Sequence, residues 1–100
     1  MIIVSQNKKE IINFDNVMSI QIFDCEDGEW AIFAAFIVGR DDNYRELGYY
    51  KSEKRAKEVL QLLTNKYKAT EVFRTAVNRV NDSVGALAIK ESFIFEMPEE

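Results

Sequence analysis

The residues whose types and spacing could most readily bind a ligand lie in the stretch LGYYKSEKRAKEVL, which spans residues 47–60. Four cations and two carboxylates fall between Lys51 and Glu58. Cations gathered on one surface could bind the phosphates of a nucleic acid, whereas cations spread along a helix would form only its solvated face. Six cations have no obvious partner nearby in the sequence and form a candidate basic patch: Lys51, Arg55, Lys66, Lys68, Arg74 and Arg79.

Two pairs of opposite charges in this stretch favour the interpretation that these cations form the solvated face of a helix. Glu53 and Lys57 are spaced i, i+4, as are Lys54 and Glu58, which places the partners of each pair on one side of a helix. Such pairs would neutralise part of the positive charge without a ligand. Whether the remaining cations share one surface is left open by the sequence.

The composition excludes the commonest kinds of catalytic and metal site. The chain of 100 residues has no histidine and one cysteine, Cys25. Serine–histidine and cysteine–histidine nucleophile pairs are therefore absent, and zinc would lack its usual ligands. The four glycines are scattered and form no phosphate-binding loop. We expect a protein that is not an enzyme and that has no cofactor and no metal.

Carboxylates crowd the sequence around Asp27-Gly28. A calcium-binding loop would need its glycine at the sixth position, but Gly28 is the fifth residue counted from Asp24. A solvated acidic turn is therefore expected. The same carboxylates would raise the pKa of the Cys25 thiol, which favours a structural or incidental cysteine.

Negative and positive residues are concentrated in different parts of the chain, although the net charge is only −4. Residues 1–50 have nine carboxylates and four cations, whereas residues 51–90 have nine cations and four carboxylates. The length fits a single domain over residues 1–100. The lone cysteine, the short apolar run at residues 1–4 and the lack of a membrane-spanning run predict a cytoplasmic protein.

The first half of the chain has the pattern of β-strands. Short apolar or alternating runs predict strands near residues 2–4, 11–14, 17–23, 30–38 and 44–50, and so a β-meander over residues 1–50. Asp27-Gly28 predicts a two-residue type I′ turn, because Asp-Gly suits the positive φ angles of that turn. This register pairs Cys25 with Trp30. One sheet face then has four large apolar side chains, which form a candidate interaction surface or lie under a helix: Phe23, Trp30, Ile32 and Phe36.

After Tyr50 the apolar spacing becomes helical. Ser52 is a good N-cap, and apolar residues recur with helical spacing from Ala56 to Tyr67. A second helix is predicted over 70–81, with a break near Lys68-Ala69, followed by a loop near 81–85 and a last strand over 92–97. The predicted fold is α+β: an antiparallel β-meander of about five strands, one or two helices packed on the sheet in the region 52–81, and a short C-terminal strand.

Four segments carry a resemblance: MIIVSQ, NFDNVMSIQI, LGYYKSEKRAKEVLQLL and FEMPEE. They resemble a group of small uncharacterised proteins of low-GC Gram-positive bacteria and their phages and prophages, over residues 1–67 and 92–100. The resemblance implies a phage or mobile-element setting, but no activity or ligand. The meander followed by a helix is also similar to pleckstrin-homology-like bacterial domains, although the strand after the helices departs from that pattern.

The function expected from these observations is that of a non-catalytic accessory protein. It would bind a protein partner or itself through the apolar sheet face. The alternative is a nucleic-acid-associated regulator that uses the cations between Lys51 and Arg79.

Overall fold

The structure is a computed structural model that describes residues 1–38, 41–77 and 94–100. The described residues form strands, a short 3₁₀ helix and a long α-helix. Their bounds are β1 Ile2–Val4, β2 Ile11–Asn13, the 3₁₀ helix Phe14–Asn16, β3 Ser19–Asp24, β4 Trp30–Val38, β5 Asp41–Tyr50, α1 Glu53–Val77 and β6 Ile94–Glu96. The predicted α+β class is confirmed, with strands, then a helix, then a further strand.

The strands form two three-stranded sheets among the described residues. One sheet has the order β2-β1-β6 and the other has the order β3-β4-β5. β1 pairs antiparallel with β2 and parallel with β6, and the second sheet is antiparallel throughout. The predicted strands before the helix are therefore present, and they are divided between the two sheets.

The core lies between the two sheets and α1. It is built from β-branched and other apolar residues that each element turns inward, such as Ile3, Ile12, Ile32, Val59 and Met97. Each of these side chains is 5% exposed or less, so the two sheets and the helix share one apolar interior. Burial of apolar surface is the main favourable term in folding, and it joins α1 to both sheets.

Helix α1 begins as the sequence predicts. The Ser52 hydroxyl accepts a hydrogen bond from the Arg55 amide at 3.0 Å, which is the N-cap geometry. Ala56, Val59 and Leu63 are buried, so the predicted apolar stripe is confirmed there.

The predicted break near Lys68-Ala69 is wrong, because α1 is continuous from Glu53 to Val77. No Gly or Pro interrupts that range, and the buried Thr70 continues the inward side of the helix. The predicted end of the second helix, the loop near 81–85 and the first part of the last strand lie outside the described residues.

Gln6 joins the two sheets. Its backbone amide donates to the Leu47 carbonyl at 2.8 Å. Its side-chain amide accepts from the Tyr49 N–H at 2.8 Å and donates to the Tyr49 carbonyl at 2.9 Å. The same side-chain nitrogen donates to the Glu99 carbonyl at 2.9 Å. Gln6 thus continues the hydrogen bonding of the β5 edge, and we call this group of contacts the Gln6 junction.

Gly48 makes room for the Gln6 junction. β5 has an extra residue at Leu47 relative to β4, since Ile32 pairs with Gly48 whereas Phe33 pairs with Glu46. A Cβ atom at Gly48 would lie 3.0 Å from the Gln6 Cβ. A glycine at this point therefore lets the Gln6 side chain approach the strand.

Hydrogen bonds hold the segment after β6 against the rest of the described structure. The Tyr50 hydroxyl donates to the Pro98 carbonyl at 2.9 Å. The Arg55 Nε donates to the backbone oxygen of Glu100 at 2.8 Å, and the Met97 amide donates to the Val4 carbonyl at 3.0 Å. These bonds hold residues 97–100 against β1 and the start of α1.

Replacing Gln6 with alanine should lower the free energy of unfolding by about 1–3 kcal/mol, because three side-chain hydrogen bonds between separate segments are lost. Urea denaturation followed by circular dichroism measures this change. Gln61→Ala is the matched control, since the Gln61 amide bonds only to Asn65 on the exposed side of α1. Equal effects of the two substitutions would contradict a joining role for Gln6.

Replacing Tyr50 with phenylalanine should change how stability depends on alkaline pH. Burial raises the pKa of Tyr50 from 10.0 to about 12, and the positive charge of Arg55 opposes this shift. The folded state therefore keeps the phenol protonated, and this stabilisation is present below pH 10 and is lost as the pH rises towards 12.

Denaturation at a series of pH values should show wild-type stability falling across that window and a flatter profile for Tyr50→Phe. At neutral pH the variant should lose about 0.5–1.5 kcal/mol from the missing bond to Pro98. Parallel profiles for the two proteins above pH 10 would show that Tyr50 does not cause the dependence.

Candidate interaction surface

The pairing of β3 with β4 decides which side chains share a face of the second sheet. Ile22 pairs with Ile32, and Phe23 pairs with Ala31. The predicted register, which paired Cys25 with Trp30 and so would place Phe23 opposite Ile32, is therefore wrong by one residue. A slip of one residue moves every side chain of one strand to the other face relative to its partner.

The connection between the two strands explains this difference. Five residues, 25–29, link Asp24 to Trp30, and the Cys25 amide donates to the Glu29 carbonyl at 3.0 Å. Positive φ angles occur at Glu26 (65°) and Gly28 (91°), not at the two adjacent residues that a type I′ turn requires. The connection is thus a longer loop, which we call the acidic loop.

The structure separates the four residues of the predicted interaction surface. Ile32 is completely buried, and Trp30 and Phe36 are partly buried against the core on the side that faces α1. Phe23 lies on the opposite face and is 42% exposed. These residues do not form one exposed surface, because the corrected register places Phe23 apart from the other three.

The face away from α1 carries an aromatic cluster that the sequence analysis missed. Phe23 contacts Phe33 edge-on at 5.4 Å between ring centroids, and contacts Tyr44 edge-on at 6.4 Å. The three side chains line a shallow hollow of about 400 Å³. We call Phe23, Phe33 and Tyr44 the aromatic face. The sequence of β4 could have indicated part of this cluster, because Phe33 lies two residues from both Ala31 and Ala35 and so shares their face.

Small residues form the floor beneath the aromatic face. Ala31 and Ala35 are both completely buried, although they are not part of the core cluster between the sheets and α1. Larger neighbours on the same side of the sheet therefore shield them. Phe23 and Tyr44 remain 42% and 45% exposed above this floor. The result is a layer of aromatic rings that is open to solvent.

Carboxylates border the aromatic face. The Tyr49 hydroxyl donates to the Glu46 carboxylate at 2.9 Å, and Glu46 pairs across the strands with Phe33. This hydrogen bond raises the pKa of Tyr49, and desolvation and the nearby charges of Glu46 and Glu29 act in the same direction. The acidic loop therefore lies close enough to Tyr49 to act on it electrostatically.

Two carboxylates at the acidic loop, that of Asp24 just before it and that of Asp27 within it, have structural partners. Asp24 accepts a hydrogen bond from the Glu26 amide at 2.9 Å, and Asp27 accepts one from the Glu29 amide at 3.0 Å. Both are local side-chain-to-backbone bonds that stabilise turns. Within the described ranges, no group of three or more acidic or cysteine side chains comes together in the manner of a metal site.

Cys25 lies at the start of the acidic loop. Desolvation raises the pKa of its thiol, and the Asp27 carboxylate raises it further. The direction agrees with the expectation from the sequence. A thiol with a raised pKa has little thiolate at neutral pH and is a poor nucleophile.

The structure places the cations of the candidate basic patch on different sides of α1. Successive helical residues are turned by about 100°, so Lys66 and Lys68 point about 160° apart. Arg55 bonds to Glu58 at 3.4 Å and to the backbone of Glu100, so it has a structural role that its sequence neighbours did not indicate. Lys51 is exposed and precedes the helix. The side chain of Arg74 and all of Arg79 lie outside the described part of the chain.

One of the two predicted helix pairs is confirmed. Lys57 contacts Glu53 at 2.8 Å. Glu58 pairs with Arg55, three residues before it, instead of with Lys54. The exposed side of the first turns of α1 is therefore a mixture of both charges, which does not form a continuous basic surface.

Comparisons with protein-family models, with curated proteins and with solved structures find no match for the chain. The resemblance to small phage and prophage proteins and the similarity to pleckstrin-homology-like domains therefore stay predictions. Among the described residues, no helix combines the length and the apolar character of a membrane-spanning segment.

The raised thiol pKa predicts slow alkylation of Cys25. Iodoacetamide should modify it more slowly at pH 7–8 than it modifies a model cysteine peptide, because little thiolate is present. Asp27→Asn should speed the reaction, because it removes a negative charge that opposes ionisation. Mass spectrometry over time measures the rate. A rate equal to that of the free peptide, unchanged by Asp27→Asn, would contradict this assignment.

Proposed function

We propose that this protein is a non-catalytic interaction module that binds a partner protein through the aromatic face. The observation that carries the proposal is the exposure of Phe23 and Tyr44 on the sheet side opposite α1. The other side of the same sheet is packed in the core, so this sheet is apolar on both faces. Clustered exposed aromatic side chains are characteristic of protein-binding surfaces.

The border of the aromatic face suggests the chemistry of the partner. Glu46 lies beside Phe33, and the acidic loop begins two residues after Phe23 in the chain. An apolar centre with an acidic border is complemented by a surface that has apolar side chains surrounded by lysine or arginine. The partner we propose has such a surface.

A second copy of the chain is a weaker fit to the same face. In a symmetric dimer through the aromatic face with its two-fold axis along the strands, the acidic loops of the two copies would lie at the same end of the interface. Like charges brought together at an interface oppose association. This argument favours a different protein as the occupant.

Nucleic-acid binding is also less favoured. The carboxylates around the aromatic face would repel phosphates, and the described cations of α1 point in different directions. The sequence resemblance suggests that the module is an accessory protein of a phage or mobile element, and we expect it to act in the cytoplasm.

A variant that carries Phe23→Ser and Tyr44→Ser tests the proposal. Leu62→Ser is the control, because Leu62 is 46% exposed on α1 and so is a comparable apolar surface residue away from the aromatic face. Affinity capture with the three proteins should identify a partner that the wild type and the control retain and the double variant loses. With the purified partner, calorimetry should show binding weakened by about tenfold or more in the double variant.

Salt provides an independent check on the partner's chemistry. Wild-type affinity should fall as salt rises if a basic rim on the partner faces the acidic border. Light scattering should show a monomeric wild type. A dimer that the double variant abolishes would make a second copy the occupant, and equal partner binding by all three proteins would overturn the assignment of the aromatic face.

A further inference from the structure

A cleft lies between β2 and the far end of the second sheet. Ile11 and Asn13 of β2 form one wall, and Phe36 and Asn43 lie across from them on β4 and β5. The cleft has a volume of about 740 Å³, which is within the range of ligand-binding pockets. It is formed by the sheet side that faces the core, so it is a separate site from the aromatic face.

The edge of β2 that faces away from β1 has backbone groups without strand partners in the described chain. Among the described strands, β2 is the outer strand of its sheet and pairs only with β1. The Ser5 amide donates to the Glu10 carbonyl at 3.0 Å, and the Phe14 amide donates to the Met1 carbonyl at 2.9 Å. These two bonds flank β2 and fix which of its residues face β1.

Along antiparallel strands, hydrogen-bonded residue pairs alternate with pairs that are not hydrogen-bonded. Within β2 the hydrogen-bonded pair is therefore Ile3 with Ile12, which lies midway between the two flanking bonds. Ile11 and Asn13 are therefore turned the other way. Ile11 presents both its N–H and its carbonyl oxygen along the free edge, and Asn13 presents its N–H. This is the spacing at which an added strand forms its bonds.

The side chains around this edge are suited to an uncharged peptide. Ile11 is 73% exposed and offers an apolar contact at the mouth of the cleft. Three asparagine amides line the cleft, Asn13, Asn16 and Asn43; the Asn13 oxygen already accepts from the Asp15 amide at 3.0 Å, and its NH₂ group is a further donor. The charged residues of the lining, Glu10 and Arg45, pair with each other at 3.6 Å. The cleft therefore offers backbone-like hydrogen bonding and apolar contacts with little net charge.

We propose that this cleft binds an extended, uncharged peptide segment of another protein, which adds as a strand to the free edge of β2. Backbone bonds to Ile11 and Asn13 provide the pairing, and the side chains on the two faces of the peptide contact Ile11 and Phe36 respectively. The proposal is independent of the aromatic face, because the two sites lie on opposite sides of the second sheet.

A displayed library of random linear nonapeptides is the probe, selected against the whole wild-type chain. We expect uncharged sequences of alternating apolar character to be enriched. Fluorescence anisotropy with a labelled selected peptide then compares two substitutions at one position. Ile11→Pro removes the N–H at the free edge, where proline is tolerated, and should weaken binding by about tenfold or more. Ile11→Thr keeps the N–H and the β-branched shape and should weaken it by about threefold or less.

Changes in the peptide test the same pairing without altering the protein. N-methylation at alternate positions should abolish binding, and methylation at the intervening positions should leave it nearly unchanged, because only every second N–H of an added strand faces β2. The variant with Phe23→Ser and Tyr44→Ser should bind the peptide as the wild type does, which separates this proposal from the one for the aromatic face.

Other outcomes would overturn the proposal. Strand addition at β2 would be excluded if no selected peptide depended on Ile11 for binding. It would also be excluded if the effects of N-methylation did not alternate along the peptide. A wild-type dimer in light scattering that Ile11→Pro abolishes would assign the edge to a second copy instead.

Discussion

Gln6 makes the main hydrogen-bonded connection between the two sheets of the described chain. Gln6 lies just after β1, yet its amide group bonds to both backbone groups of Tyr49 and to the carbonyl of Glu99. Apolar burial brings the sheets and α1 together without specifying direction, because it is non-directional. The Gln6 junction adds direction, since its bonds to Leu47 and Tyr49 require a defined position of β5 relative to β1. Gly48 is part of this constraint, as it leaves space for the glutamine side chain.

The same constraint determines the two candidate sites. With β1 held against the end of β5, β2 lies outside β1 and faces the far part of the second sheet, which creates the cleft lined by Ile11 and Phe36. α1 covers the core side of the second sheet. The aromatic face is left on the opposite side, bordered by the acidic loop. Both surfaces thus follow from how the two small sheets are joined.

Local features were predictable from the sequence because they depend on neighbouring residues. The Ser52 cap, the buried stripe from Ala56 to Leu63 and the positions of the strands are of this kind. The aromatic face was missed because the loop after Asp24 has five residues instead of the expected two-residue turn, and one residue of register exchanges the faces. The pairing of β1 with β6 was also missed, since the choice of a distant partner depends on the whole chain.

The parallel pairing of Ile3 with Phe95 has a consequence for how the protein folds during its synthesis on the ribosome. β3, β4 and β5 follow one another closely and can pair as soon as they emerge from the exit tunnel. β1 must instead wait, with its edge towards β6 open, until residues 94–96 have been synthesised. Contacts between residues so distant in the chain form slowly, and unpaired edges attract other strands in the meantime. Translation therefore leaves the β6-facing edge of β1 open until β6 has been made, and this is the interval in which a chaperone would be of most use.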